Sequence, residues 1–396
     1  MTNKLRVGIA GYGIVGKRRR HFIDRHSRLE TVAVCDRTFP GDGRFEDGVR
    51  YYQTYASLLQ ESLDVLFVCM TNDIAPKATI AGLDRGLHVF CEKPPGRDLQ
   101  AVASVIECER RRPGLKLKYG FNHRYHESVH DALSLIASGQ LGHVINLRGV
   151  YGKSKMVTFD SDWRTKRATA GGGILLDQGI HLVDMMRLLA GEFTEVYSFV
   201  SSSYWHHDVE DNAYALMRTA DGVVAMLHSS ATQWRHQFHL EIALTRGAIN
   251  LSGILSSTKS YGAETMTVAY RNDDDGGDPR EVTTRYNQDP SWQDEIAEFT
   301  DCVLNDKPIT SGSSLDALKS MHLVYRIYCA DPQWRERFQL DATLPRELYE
   351  YTSPSLSGSG PDGSLRQPVL RSTAGLAGRD RPGGDRSLRP RASRGA

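Results

Sequence analysis

A glycine-rich turn near the start of the chain restricts the fold more than any other feature. A Gly-x-Gly-x-x-Gly run directly follows the apolar segment Leu5–Ala10. Its first glycine allows a tight turn, the second lets a pyrophosphate approach the backbone, and the third lets a helix pack closely on the strand. The N–H groups at the start of that helix would bind the phosphates. The residues of the turn predicted to contact a dinucleotide are Gly11, Gly13, Ile14, Val15 and Gly16.

An acidic residue stands where a dinucleotide-binding fold needs one. Asp36 directly follows the β-rich segment Thr31–Cys35 and lies 20 residues after Gly16. A carboxylate at this place accepts hydrogen bonds from the ribose hydroxyls and repels the 2′-phosphate of NADP. We therefore expect NAD to be preferred over NADP. The neighbouring Arg37 could weaken this preference by stacking on adenine or by pairing with a phosphate.

The order of the apolar segments predicts an α/β protein with two domains. In residues 1–124 short strands alternate with helices, which is typical of a doubly wound, parallel Rossmann sheet. From about Val144 the strands follow one another closely, which predicts an α+β domain with a large, mainly antiparallel sheet over residues 125–352. We expect the second domain to bind substrate and to mediate oligomerisation. The predicted strands are Leu5–Ala10, Thr31–Cys35, Val65–Cys69, His88–Cys91, Leu115–Phe121, Val144–Val150, Glu195–Ser203, Ala213–Arg218, Val223–Ser229, Phe238–Thr245 and Ala248–Ser252, and the helices of the second domain are His126–Ser138, Ile174–Leu189, Trp292–Asn305 and Leu315–Ala330.

Composition excludes several classes of protein. With 40% hydrophobic and 24% charged residues, the chain is neither wholly disordered nor fibrous, and a net charge of +1 gives no general attraction to nucleic acid or membranes. The absence of a Cys-x-x-Cys pair and of any long apolar run predicts a cytoplasmic protein with reduced thiols. Residues 353–396 contain eight Arg, three Asp and no Phe, Tyr, Trp or Lys, so we expect a disordered tail there.

A second motif joins the glycines of Gly171–Gly173 to a polar stripe on an apolar helix. Asp177, His181 and Asp184 are spaced i, i+4 and i+7, so we expect all three to face a cleft. A histidine titrates near neutrality and suits the base that removes an alcohol proton, while a carboxylate one turn away can orient it or bind a neighbouring hydroxyl. Close approach of a ligand would explain Gly179 inside this helix. A buried structural Asp–His pair would give the same pattern, and no spacing of further ligands predicts a metal.

A third motif, Glu92-Lys93-Pro94, ends the fourth predicted strand. Ligands of open α/β sheets bind beyond the carboxyl ends of the strands, which is where Lys93 would lie. Its ammonium group could donate a hydrogen bond to the reacting oxygen and stabilise a developing alkoxide. Glu92 could fix the position of that ammonium group. An ordinary surface lysine is the alternative.

Together the three motifs resemble the Gfo/Idh/MocA family of NAD(P)-dependent oxidoreductases, which includes inositol dehydrogenases and glucose–fructose oxidoreductase. The resemblance covers roughly Lys4–Ala330. It implies that Lys93, Asp177 and His181 are catalytic, with His181 as the base, and that the chain forms a homo-oligomer through its C-terminal sheet. The further residues that it places at the cofactor are Asp36, Arg37, Thr71, Asn72, Glu92, Lys93 and Asn122, and those that it places at the substrate are Lys93, Arg124, Trp163, Arg164, Asp177 and His181.

The chain departs from the family pattern at two positions in the cleft. Pro76 stands where the family often has a histidine, and His123 stands where a second arginine or lysine frequently follows Asn122. These departures concern local contacts. They do not change the class of protein that the motifs indicate.

These motifs predict hydride transfer between NAD and a secondary alcohol of a sugar, sugar derivative or cyclitol. Two alternatives stay open: a non-catalytic ligand sensor or regulator on the same fold, and a dehydrogenase of a non-sugar substrate. Retention of Lys93, Asp177 and His181 favours an enzyme. Cations such as Arg164 and Arg235 would suit a phosphate or a nucleotide-linked sugar. We expect no nucleic-acid or membrane partner.

Overall fold

The computed structural model of the chain describes residues 4–154, 163–256, 261–272, 278–345 and Leu348. This part of the chain forms two β-sheets with packed helices, and none of its helices is long and apolar enough to cross a membrane. The predicted tail over residues 353–396 lies outside the described residues. The domain boundaries at residues 124 and 352 stay predictions.

Seven strands form the first sheet, which confirms the predicted Rossmann fold. They are β1 (Leu5–Ala10), β2 (Leu29–Cys35), β3 (Gly43–Arg44), β4 (Arg50–Tyr52), β5 (Val65–Val68), β6 (His88–Cys91) and β7 (Leu117–Tyr119). Their order is β3-β4-β2-β1-β5-β6-β7, and only the β3–β4 pair is antiparallel. Because β1 lies between β2 and β5, the direction of the strand order reverses there, and a crevice opens at the carboxyl ends of β1 and β5.

Eight strands form the second sheet, which confirms the predicted large and mainly antiparallel sheet. They are β8 (Val144–Gly152), β9 (Phe193–Ser201), β10 (Asn212–Thr219), β11 (Val224–Ser230), β12 (Gln237–Leu244), β13 (Gly247–Ser252), β14 (Glu264–Tyr270) and β15 (Arg280–Tyr286). Their order is β15-β14-β13-β12-β8-β11-β10-β9, with β8 and β11 parallel. The sequence did not predict β14 or β15. The edge strand β15 is exposed except at Tyr286 and so lacks the alternation of apolar residues that marks a strand.

The described residues contain ten α-helices: α1 (Ile14–Ile23), α2 (Tyr55–Leu58), α3 (Ala75–Asp84), α4 (Leu99–Arg110), α5 (Glu127–Ala137), α6 (Arg167–Ala170), α7 (Ile180–Ala190), α8 (Ser291–Leu304), α9 (Ser314–Ala330) and α10 (Pro332–Phe338). A π-helical turn, Leu175–Gly179, leads into α7, where the sequence predicted a single α-helix over Ile174–Leu189. Helix α7 packs against α9 and β8, and α9 packs against β9. These contacts place the second motif between the helices and one face of the second sheet.

A buried ion-pair network links helices α1 and α8 to the carboxyl end of β6. The guanidinium of Arg19 in α1 is fully buried, and its Nε donates to Glu92 at 2.6 Å while Nη2 donates to Glu295 of α8 at 2.8 Å. The rings of Phe90 and Trp292 lie 4.4 and 4.3 Å from the guanidinium carbon. Burial raises the pKa of Glu295 to about 7, against the lowering effect of Arg19. One arginine therefore links the glycine-turn helix, the strand that carries Lys93, and α8.

Replacing Arg19 by methionine should lower the free energy of unfolding by about 3–5 kcal/mol, because it leaves two carboxylates in a buried site without their cation. Urea unfolding followed by circular dichroism measures the change. The exposed Arg25, just after the same helix, is the matched control, and Arg25→Met should change stability by less than about 0.5 kcal/mol. Equal, small effects of the two substitutions would show that the network does not stabilise the fold.

Candidate active site

The glycine turn forms a cradle with one open side at the start of α1. A Cβ at Gly11, whose φ is +93°, would lie 2.3 Å from the carbonyl oxygen of Cys69, and one at Gly16 would lie 2.0 Å from that of Gly11. A Cβ at Gly13 would meet no atom within 4 Å, and the side chain of Ile14 is 82% exposed. Gly11 and Gly16 are thus required by close packing, while the space beside Gly13 fits the approach of a pyrophosphate.

Asp36 is held at the carboxyl end of β2 by three donors. Its Oδ2 accepts from the backbone N–H of Tyr12 at 2.9 Å, and its Oδ1 accepts from the backbone N–H and the hydroxyl of Thr38 at 3.0 and 2.8 Å. Burial would raise the pKa of Asp36, but these hydrogen bonds outweigh burial and hold it below its usual value. An ionised carboxylate therefore stands beside the glycine turn, with Arg37 exposed next to it.

Three other predicted cofactor residues hold the loops around the cleft. Thr71 donates to a carboxylate within its own turn. Asn72 and Asn122 are both buried. The amide of Asn72 donates to the carbonyl oxygen of Ala170 at 2.7 Å, and that of Asn122 donates to the hydroxyl of Ser291 at 3.1 Å. The two asparagines thus tie the carboxyl ends of the first sheet to segments of the predicted second domain.

Lys93 and Asp177 come together as the motifs predicted. The Nζ of Lys93, which follows β6, donates to the main-chain oxygen of Asp177 at 2.5 Å, and the Lys93–Pro94 peptide is cis. The carboxylate of Asp177 lies 3.4 Å from Nζ of Lys153 and 3.5 Å from Nε of Arg164. Burial would raise the pKa of Asp177, but the three cations outweigh burial and hold it below the usual range. Asp177 is therefore ionised in the cleft.

His181 is buried next to these charges, and one of its ring nitrogens lacks a partner among the described residues. The side chain is 4% exposed, its Nδ1 makes no hydrogen bond there, and its ring stacks on His123 at 3.8 Å. Burial lowers the pKa of His181 well below its usual value, and Lys93 and His126 lower it further. The imidazole is therefore neutral at neutral pH, and one of its ring nitrogens carries a lone pair that can accept a hydrogen bond. A buried nitrogen without a partner is unfavourable unless a ligand bonds it, which fits a substrate hydroxyl at this point.

The sequence placed His123 in the cleft but did not predict that its ring would stack on His181. Its Nε2 lies 3.0 Å from the hydroxyl of Tyr151 on β8, and its Nδ1 lies 3.3 Å from Oδ1 of Asn122. Burial lowers the pKa of His123 well below its usual value, and His181 lowers it further. His123, which stands where the family frequently has an arginine or lysine, is thus a neutral ring that packs flat on His181.

The buried carboxylate of Glu210 holds the start of the second motif. It accepts from the backbone N–H groups of Gly173 and Leu175 at 2.7 and 2.9 Å and from the hydroxyl of Tyr328 at 2.7 Å. A Cβ at Gly173 would lie 2.0 Å from the main-chain oxygen of Glu210. This glycine is therefore required by the close approach of the loop that precedes β10.

Two sequence predictions about the helix are wrong. A Cβ at Gly179 would lie 2.5 Å from Oγ of Ser229 on β11, so helix–sheet packing, and not a ligand, accounts for this glycine. Asp184 does not face the cleft: it is buried, and its two oxygens accept from Arg124 at 2.7 Å each. The prediction that Asp184 shares a helix face with Asp177 assumed α-helical spacing. It is wrong because the π-helical turn contains more residues per turn than an α-helix.

The same ion pair engages Arg124, whose predicted contact with the substrate stays a prediction. Its guanidinium donates to Asp184 and, at 3.2 Å, to Asp316 of α9, and its side chain is only 7% exposed. Trp163 and Arg164, by contrast, lie at the cleft, where the Arg164 guanidinium carbon is 4.5 Å from the Trp163 ring. Asp162, which directly precedes them in the sequence, lies outside the described residues.

Sequence analysis also missed Lys153 and Arg19. Lys153 directly follows the central strand β8, and its backbone N–H donates to the main-chain oxygen of Ser230 at 2.9 Å. Its position just after a predicted strand was the signal that could have identified it as a site residue. Arg19 lies three residues after Gly16 and four before Ile23, and these three are the buried positions of α1. No group of three or more His, Cys, Asp or Glu side chains in the described residues is placed to hold a metal.

Comparison with known proteins places the chain among oxidoreductases. Residues 5–121 match the model of an oxidoreductase family with an NAD-binding Rossmann fold, and residues 129–250 match that of the GFO/IDH/MocA C-terminal domain. The inositol 2-dehydrogenase of Salmonella typhimurium is 24% identical over 273 residues, which cover 66% of this chain and 78% of that protein. The D-glucoside 3-dehydrogenase of Escherichia coli is 26% identical over 258 residues, covering 58% and 71% of the two chains.

Solved structures with the same fold carry either nicotinamide cofactor. Levoglucosan dehydrogenase in complex with NADH has a TM-score of 0.72 at 19% identity, over 84% of this chain and 98% of that one. A variant of a 3-ketoreductase from Actinomadura kijaniata, solved with TDP-benzene and NADP, has a TM-score of 0.71 at 20% identity, over 83% and 98%. The two sheets, the glycine turn and both family matches agree, and the chain belongs to the Gfo/Idh/MocA family of oxidoreductases, with an NAD-binding Rossmann fold.

Proposed function

We propose that this protein is an NAD-dependent dehydrogenase that oxidises a secondary alcohol of a sugar, sugar derivative or cyclitol. The observation that carries the proposal is the buried, neutral imidazole of His181, whose Nδ1 lacks a partner among the described residues, beside Lys93. NAD would accept the hydride when it is bound. The relatives named above are dehydrogenases of an inositol and of a glucoside, and this supports a polyhydroxylated substrate.

In this proposal each residue of the cleft has a distinct task. His181 accepts the hydroxyl proton, because its neutral nitrogen is ready for a hydrogen bond from the substrate. Lys93 donates to the same oxygen and stabilises the alkoxide as charge develops. Asp177 binds a neighbouring hydroxyl, and Glu92 keeps Lys93 in place through its own ion pair with Arg19.

The turn Gly11–Gly16 would hold the pyrophosphate, with Ile14 and Val15 beside it, and Asp36 would bind the adenosine ribose. The open side at Gly13 and the ionised carboxylate of Asp36 support this placement. We assign the protein to the cytoplasm, because all six cysteines are free thiols and four of them are buried.

We further propose that the protein is a homo-oligomer joined through the face of the second sheet that the helices do not cover. Five apolar side chains on β9, β10 and β11 are exposed by 46–79%, and the strand register places them next to one another across the three strands. They are Tyr197, Phe199, Tyr214, Leu216 and Met226. A second copy of the chain would remove this patch from water, because an equivalent patch on the partner is complementary to it under two-fold symmetry.

His181→Ala should lower kcat for the alcohol by about 10²- to 10⁴-fold, the usual contribution of a general base. Lys93→Met should also lower kcat, and the double variant should show less than the sum of the two effects because both groups act on one oxygen. NADH formation at 340 nm and the dissociation constant of NAD are measured on the same proteins. The dissociation constant should hardly change.

The matched control is His322→Ala, since this histidine lies in α9, where it bonds to the main-chain oxygen of Ala342 at 3.0 Å. It should leave kcat unchanged, although it lowers the melting temperature. Full kcat in folded His181→Ala would end the assignment of His181 as the base.

NAD should bind more tightly than NADP, because the carboxylate of Asp36 repels a 2′-phosphate. Fluorescence titrations with both cofactors measure the ratio of dissociation constants, and Asp36→Ala should bring that ratio closer to one. Asp42→Ala, which changes another acid of the same region, should leave the ratio as it is. Tighter binding of NADP to the unchanged protein would contradict the cofactor assignment.

Leu216→Lys should dissociate the oligomer, because it places a charge at the centre of the apolar patch. Sedimentation velocity at micromolar concentration distinguishes a monomer from larger species. Ala56→Lys, at an exposed position of α2, serves as the control and should leave the mass unchanged. A monomeric wild-type protein under these conditions would refute the proposal.

A further inference from the structure

The ring plane of His181 has to be set by the side chains that pack against it. A general base is usually oriented by a third group that bonds to it. The Nδ1 of His181 makes no hydrogen bond with the described residues, and the proposed function needs this atom for the substrate. The χ2 torsion of a histidine has a broad energy minimum, so the rotamer alone does not fix the ring either.

Two rings pack against the imidazole of His181. That of His123 lies flat on it, with 3.8 Å between the ring centroids and 14° between the planes. That of Phe121 meets it edge-on, at 6.4 Å and 88°. A flat neighbour at this separation blocks rotation of the ring out of its plane, because the two rings are already in van der Waals contact. His123 is therefore the stronger constraint on the orientation of His181.

The ring of His123 is itself bonded at both nitrogens. Its Nε2 lies 3.0 Å from the hydroxyl of Tyr151, and its Nδ1 lies 3.3 Å from Oδ1 of Asn122. A neutral imidazole has one donor and one acceptor, and an amide oxygen can only accept. Nδ1 of His123 therefore donates to Asn122, and Nε2 accepts from the hydroxyl of Tyr151.

Both partners of His123 are fixed from outside the pair of histidines. The ring of Tyr151 meets the rings of Phe238 and Tyr261 at 5.2 and 5.4 Å, on the second sheet and just before β14. The amide of Asn122 donates to the hydroxyl of Ser291 at 3.1 Å, at the start of α8. The stack is thus anchored on two separate parts of the structure, and His123 has little freedom to move.

The charge state of His123 suits a place beside a base. Burial lowers the pKa of His123 well below its usual value, so the ring adds no positive charge next to His181 at neutral pH. The other groups that act on the pKa of His181 are Lys93, after β6, and His126, which bonds to the carboxylate of Glu264 at 2.8 Å. A cation in place of His123 would disfavour the imidazolium that forms when His181 takes a proton.

We infer that His123 is a positioning residue, whose ring, held by Tyr151 and Asn122, keeps the imidazole of His181 in the plane from which Nδ1 reaches the substrate hydroxyl. This inference rests on the proposed function and deepens it. Proton transfer needs the two heavy atoms within about 2.6–3.2 Å, and a displacement of about 1 Å can cost about 10²-fold in rate. A ring free to turn would lose this alignment.

Three substitutions separate the flat ring of His123 from its hydrogen bonds. His123→Ala removes both and should lower kcat by about 10- to 10²-fold. His123→Gln keeps a group that can bond to Tyr151 but has no flat ring, and should lose about as much. His123→Phe keeps the ring without the bonds and should recover most of the loss. The KM of the alcohol and the dissociation constant of NAD should hardly change, since neither involves the plane of His181.

His228→Phe is the matched control. The ring of His228 also stacks flat on an aromatic ring, that of Tyr214, at 4.1 Å and 14°, but on β10 and β11 outside the cleft. This variant should keep the kcat of the wild type. Full kcat per folded molecule in both His123→Ala and His123→Gln would overturn the inference. A kcat restored by Gln and not by Phe would overturn it as well, because the hydrogen bonds and not the ring would then matter.

A measurement without substrate separates this inference from the proposed function. Histidine labelled with ¹³C at ring carbon Cε1 gives a signal for His181 that His181→Ala assigns. In His123→Gln this signal should shift, and its titration midpoint should rise towards the ordinary value of about 6.5, because water can then reach the ring. An unchanged signal and midpoint overturn the positioning role. A shifted signal together with full kcat in His181→Ala refutes the base and leaves the role of the stack intact.

Discussion

The buried guanidinium of Arg19 is the interaction on which the rest of the site depends. It lies on the inner side of the helix that follows the glycine turn, and its two carboxylate partners come from the end of β6 and from α8. Because Glu92 is the residue before Lys93, the ion pair fixes the strand end that carries the lysine relative to the dinucleotide turn. A buried charge of this kind is tolerated only when its partners are in place, so the network selects one arrangement of these three elements.

A second constraint acts on the other half of the site. Glu210 accepts hydrogen bonds from the backbone at the start of the π-helical turn, and Gly179 lets the same segment pack directly on Ser229 of β11. The turn therefore has a fixed position between the second sheet and the first. Asp177 and His181 occupy the cleft for that reason, whereas Asp184, one step further along, is turned into a structural ion pair with Arg124.

Burial sets the charge state of the histidines in the cleft, whereas neighbouring cations set that of Asp177. Stacked and buried histidines stay neutral, so His181 offers a lone pair to the cleft and does not add a further positive charge. Asp177 stays ionised because three cations outweigh its burial. A neutral imidazole and an ionised carboxylate thus stand one helical turn apart.

The sequence by itself determined the class of fold and the place of the dinucleotide turn, and it predicted that Lys93, Asp177 and His181 would lie near one another. These inferences rest on local patterns: a glycine turn has a specific steric requirement, and the period of the apolar residues distinguishes the two kinds of sheet. Only the tertiary structure decided which polar residues share the cleft. In the sequence, Arg19 is one of three successive arginines, Lys153 follows a strand and His123 departs from a motif. Their roles could not be predicted because the residues that they contact lie far away along the chain. The ion pair between Arg124 and Asp184 could not be predicted either. It joins residues 60 positions apart, and no periodic pattern in the sequence indicates such a pair.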